Sequence, residues 1–112
     1  MSDSDAEAPS GPAARPPEFS CTATLWQVRD EGGWHFVTLP ADWNEDLRLA
    51  RPPGSGFGSI RVRAHIGDVR WETSLFPDTK RGAYLLPVKR TVRDRLGVGD
   101  GDEVQVHLTV LT

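Results

Sequence analysis

Cysteine is almost missing from this chain. Cys21 is the only one in 112 residues, so no disulfide can form within it. That scarcity fits a reducing compartment, and the expected location is the cytoplasm. No apolar run approaches the roughly eighteen residues of a membrane-spanning helix. The first residues, "MSDSDAEAPSGPAARPP", lack the apolar segment of a secretory signal. Charge of one sign is also lacking: 13 basic against 16 acidic residues leave a net charge of −3, which excludes a general polycation. The three histidines, His35, His65 and His107, have no His-x-His or Cys-x-x-Cys spacing, so they are expected at the surface with no metal bound. "DGDEVQVHLTVL" starts like a calcium loop from Asp100. Gln105 stands where the loop needs glycine and Leu111 where it needs a bidentate glutamate, which leaves a turn. "GSGFGS" has neither the G-x-G-x-x-G spacing nor the Gly-Lys-Ser/Thr ending of a phosphate loop. Nucleophile and base are not visibly paired: Glu72 and Ser74 share one parity of a strand, an unspecific arrangement. No catalytic residue and no cofactor are expected.

What is present is a pattern of short alternating segments. Residues 1–17 are acidic and rich in Pro and Ala, and read as a disordered tail ahead of one domain, 18–112. In "EFSCTATLWQV", Phe19, Cys21, Ala23 and Leu25 alternate with polar residues as in a half-buried strand. "WHFVTLP", "SIRVRAHI", "VRWETSLF", "AYLLP" and "EVQVHLTVL" supply five more strands, with Gly67-Asp68 as a two-residue hairpin turn. "ADWNEDLRLA" reads as a short helix, and residues 89–96 as another closed by Gly97. The four tryptophans, at 26, 34, 43 and 71, are assigned mainly to the core of a small barrel, an exposed pair being the alternative. Leu39-Pro40 and Leu86-Pro87 lie 47 residues apart, as do Arg48-Leu49 and Arg95-Leu96. "SIRVRAHI" matches "EVQVHLTV" at 44, and Trp26 precedes Trp71 by 45. The expected fold is all-β: a six-stranded closed barrel of the double-split type with two short helices, built from two pseudo-symmetric ββαβ halves.

"GGWHFVTLP", "GSIRVRAHIGDVRWETSLFP" and "YLLPVKRTVRDRLGVGDGDEVQVHL" together resemble the bacterial domain-of-unknown-function 1905 family, over roughly residues 18–111. The second half is similar to the AbrB half-unit, which implies a double-split barrel. AbrB-type proteins assemble that barrel from two chains, whereas two halves in one chain imply a monomer. Some relatives carry a YdeI/OmpD-associated segment after this domain, and any activity that depends on it is expected to be absent here. The resemblance implies no catalytic residue.

Function is therefore sought in charge. Residues 79–96 hold six cations against one anion, a net of +5. Lys80, Arg81, Lys89, Arg90 and Arg93 form the candidate anion-binding set. Residues 41–50 carry three anions and one cation, a net of −2, so the two helices cannot read paired DNA half-sites symmetrically. The leading expectation is a non-catalytic interaction or ligand-binding module for an unidentified protein or small molecule. An asymmetric nucleic-acid or anion binder is second and an enzyme third. No membrane partner is expected.

Overall fold

The computed structural model describes residues 18–28, 33–50 and 58–111. The expected tail, most of the Glu31-Gly32-Gly33 turn and most of the "RPPGSGFG" loop lie outside these. Six strands follow in order: β1 (Glu18–Gln27), β2 (His35–Thr38), β3 (Ile60–Ile66), β4 (Val69–Asp78), β5 (Ala83–Pro87) and β6 (Glu103–Val110). A 3-10 turn, Ala41–Trp43, leads into helix α1 (Asn44–Ala50), and α2 spans Arg90–Leu96. Every ladder is antiparallel, and the strands close a barrel in the order β1-β2-β5-β4-β3-β6.

The alternation read from the sequence decides which side chains fill it. Ile60, Val62 and Ala64 of β3 and Val106, Leu108 and Val110 of β6 are buried, with Arg61, Arg63 and His107 outside. Leu25, Val37, Leu75 and Leu86 complete the interior from the other four strands.

Two strands change partner along their length. β1 pairs with β6 over Glu18–Thr24 and with β2 only from Leu25 onward. β4 pairs with β3 up to Leu75 and with β5 from Phe76 onward. Each change of partner opens a split in the wall that a short helix can plug. Leu47 of α1 and Val92 of α2 are the buried plugs. Gly97 ends α2 in the left-handed region (φ 69°), where Gly97 and Val98 N–H both donate to the Arg93 carbonyl at 2.8 and 3.1 Å. The turn that follows is latched to β1. Asp100 accepts from Gln27 N–H at 2.8 Å and Asp102 from Gly99 N–H at 2.8 Å, so both carboxylates of the calcium-like motif are occupied by backbone.

The strand order is unchanged when β1, β2 and β3 are exchanged with β4, β5 and β6. Thr38 faces Leu85, 47 residues on, and Ala64 faces Leu108, 44 residues on; these are the spacings found in the sequence. The 45-residue spacing of Trp26 and Trp71 does not fit. Phe19 faces Leu108 and Trp71 faces Ala64, so the ladders make Phe19 the counterpart of Trp71, at 52 residues.

Three further expectations need correction. Trp34 is not a core residue: it is 59% exposed, because it precedes β2 rather than pointing into the barrel. Trp26 and Trp43 are only half-buried, which leaves Trp71 as the one tryptophan in the core. His35 is not on the surface either. It takes the inward parity of β2, is buried, and its Nδ1 lies 2.7 Å from the Gly33 carbonyl.

Candidate functional site

The second split is open. β4 meets β5 only from Phe76 onward, and the chain from Pro87 into α2 lies beside the gap before it, leaving a cleft of about 430 Å³. Trp71 and His35 form buried parts of its lining, while Trp34 and Phe76, 59% and 46% exposed, form apolar walls. Lys89, Arg90 and Arg93 line the same cleft. The other split is closed by its own side chains: Phe19 packs on Trp43 with ring centroids 5.0 Å apart. Where the first split has the Phe19–Trp43 pair, the second has Trp71 beside an open cleft lined by Lys89, Arg90 and Arg93.

Electrostatics at the cleft favour an anion. Arg90 Nε is 3.7 Å from Asp94, an exposed pair that contributes little, and Arg93 Nε donates to the Val88 carbonyl at 3.1 Å. That bond fixes the Arg93 guanidinium by one edge and leaves its other donors free of the backbone. The one carboxylate in the lining, Glu72, is engaged elsewhere: Arg63 reaches it at 2.9 Å and Arg61 at 3.8 Å. Ser74, on the same face, accepts from Arg61 at 3.4 Å. The Glu72/Ser74 parity is thus real, but both groups are tied into an arginine ladder rather than to each other.

Of the five candidate cations, the structure brings three together. Lys80 and Arg81 sit in the turn between β4 and β5, at the far end of β5 from α2. Five residues of strand, roughly 17 Å, intervene. Arg81 is committed there: it pairs with Asp78 at 2.6 Å and lies over Trp26, 4.2 Å from the ring centre. Asp78 also accepts the Lys80 and Arg81 N–H groups at 3.0 and 3.3 Å. Its carboxyl is held below the usual range, chiefly by the Arg81 side-chain hydrogen bond.

Sequence reasoning missed the aromatic half of the cleft. Trp34 stacks on Phe36 at 6.1 Å with the planes 10° apart, and Phe36 meets Trp26 at 5.4 Å. These rings come from β1, β2 and the residue before it, so no linear motif joins them to Lys89. Only the 2-residue spacing of Trp34 and Phe36 was a local sign of a shared face.

Other candidate sites are poorer. His65 and His107 face each other across β3 and β6, ring centroids 5.5 Å apart, in a polar outer hollow of about 600 Å³. Among the described residues, no group of three or more His, Cys, Asp or Glu could hold a metal ion. Burial pushes the Cys21 thiol up, the opposite of what a nucleophile needs. No helix among the described residues is long and apolar enough to cross a membrane.

The family model described as Domain of unknown function (DUF1905) covers residues 22–108, which takes in both splits and the whole cleft lining. No curated protein matches the chain.

Proposed function

The chain belongs to the DUF1905 family, defined by sequence rather than by an activity, and from that premise we propose that it is a non-catalytic binding module whose site is the cleft between β4 and α2. Its ligand carries a flat apolar group beside a negative charge. One observation carries this reading: exposed Trp34 and Phe76 share a single cleft with Lys89, Arg90 and Arg93. Exposed aromatics cost solvation, and a cleft of a few hundred cubic ångströms with apolar walls and a few polar groups is the usual shape of a ligand site. The cations select charge, and the walls supply the contact area.

A symmetric duplex-DNA reader is disfavoured by the same facts. The first split is plugged by Phe19 and Trp43 and flanked by Asp42, Glu45 and Asp46, so the two ends of the barrel differ in both shape and sign.

Calorimetry with 1-naphthyl phosphate tests the proposal. The wild-type chain should bind it. Trp34→Ala and Lys89→Glu/Arg90→Glu should each weaken binding at least tenfold, and added salt should weaken wild-type binding. Equal affinity in all three proteins would overturn the assignment of the cleft.

A further inference from the structure

We infer that the cleft takes a nucleotide, with the base stacked on Trp34 and the phosphate held by Lys89, Arg90 and Arg93. This rests on the binding reading above and narrows it to one class of ligand.

The stacking surface is built for a planar ring. Phe36 lies nearly parallel to the Trp34 indole, with ring centroids 6.1 Å apart. Trp34 keeps 59% of its surface in water and lines the cleft, which puts ring surface on offer. Stacking on an aromatic side chain contributes roughly 1–3 kcal/mol per base and is indifferent to sequence. Phe76 adds a second apolar wall.

The polar groups are spread in the way a nucleotide needs. A simple aryl acid has a flat body and one charge, whereas a base also carries donors and acceptors around its edge. Glu72, Thr73 and His35 line the cleft together with Trp34 and Trp71. Glu72 is half-exposed; one carboxylate oxygen accepts from Arg63 at 2.9 Å, and Arg61 lies 3.8 Å from the other. A carboxylate oxygen has room for a second donor, and an exocyclic amino group supplies one. The Thr73 hydroxyl can donate or accept. The phosphate is then placed on the α2 side, where Lys89 contributes a point charge and Arg93 a guanidinium oriented by its bond to the Val88 carbonyl. Glu72 shares the lining, its charge compensated by Arg61 and Arg63.

A free nucleotide and a nucleotide within a single strand offer the same chemistry. The aromatic run continues from Trp34 over Phe36 and Trp26 to Arg81, which gives a strand further contacts that a mononucleotide cannot use.

The test is an amide and indole NMR titration of the whole chain with AMP, adenosine, inorganic phosphate, the hexamer (dA)6 and 1-naphthyl phosphate. AMP should shift the Trp34 indole and the amides of residues 87–93. It should bind at least tenfold more tightly than adenosine or phosphate alone, and Trp34→Ala should abolish the indole-adjacent shifts. Tighter binding of (dA)6, with shifts spreading to Trp26 and Arg81, identifies a strand as the source; binding of AMP as tight as that of the hexamer identifies a free nucleotide. Naphthyl phosphate binding without AMP or (dA)6 binding overturns the nucleotide inference and leaves the cleft reading standing. Failure of all three overturns both.

Discussion

Replacing Trp34 by alanine should cost far less stability than replacing Trp71. Fully burying an aromatic side chain removes about 150–250 Å² from water. Trp34 is 59% exposed, so it hides roughly two-fifths of that, about 60–100 Å². At about 25 cal/mol per Å² the loss is about 1.5–2.5 kcal/mol, an upper bound because the unfolded chain is not fully extended. Trp71 is 9% exposed and belongs to the core cluster, so its removal forfeits nearly the whole side chain and leaves a cavity, about 3–5 kcal/mol. Urea unfolding of the wild type, Trp34→Ala and Trp71→Ala gives both values, provided the slope is unchanged. Trp71→Phe keeps the comparison available if Trp71→Ala does not fold. Equal losses at the two positions would refute the placement of Trp34 outside the barrel, and with it the open wall of the cleft.

Further outcomes follow from individual contacts. Leu47→Ala should destabilise by about 2–5 kcal/mol because Leu47 is fully buried under the first split, whereas Leu49→Ala, 75% exposed two residues later, should stay within about 0.5 kcal/mol; thermal unfolding distinguishes them. Gly67→Ala should be worse than Gly97→Ala, although both residues have positive φ. A Cβ at Gly67 meets Leu96 Cδ2 at 2.9 Å, while one at Gly97 meets nothing within 4 Å; paired urea curves give the difference. Arg81→Ala should remove a pH-dependent part of the stability. The Asp78 carboxyl is depressed in the folded state, so its contribution is present above its unfolded pKa and is lost as pH falls through the lower folded value. The gap between wild type and variant should therefore narrow in acid, below about pH 4. A residue of the gap should persist there, because Arg81 also covers Trp26. Unfolding at pH 3 and pH 7 measures both parts.

The barrel was legible because each strand carries its own alternation. β3 and β6 show period two without a break, and Gly67-Asp68 and Gly97 punctuate the chain where the structure turns it. Burial in a six-stranded barrel leaves few other ways to hide those faces. Thr38 faces Leu85 at 47 residues and Ala64 faces Leu108 at 44, but each antiparallel ladder contains neighbouring spacings as well, so these pairs do not establish the repeat. The Trp26–Trp71 spacing misled because tryptophan identity stood in for ladder register, and register alone says which residues correspond.

The site was only half legible. Lys89, Arg90 and Arg93 are neighbours on one short helix turn and could be named from sequence alone. Their distance from Lys80 and Arg81 could not, since it depends on β5 running straight between the two groups. Trp34 was assigned to the core because large aromatics usually fill small barrels. What exposes it is its place just before β2, on the parity of half-buried Phe36 rather than that of inward His35 and Val37. His35 was misplaced for a related reason: its inward parity puts a polar ring inside, where the Gly33 carbonyl satisfies it.

The central claim is that Trp34 and α2 form one binding surface while Trp43 plugs its counterpart. Labelling the four tryptophans with 5-fluorotryptophan and titrating 1-naphthyl phosphate tests it by ¹⁹F NMR. The Trp34 resonance should move most, Trp71 should move with it as part of the same lining, and Trp43 should stay fixed. An unmoved Trp34 signal, or equal movement of all four, would contradict it.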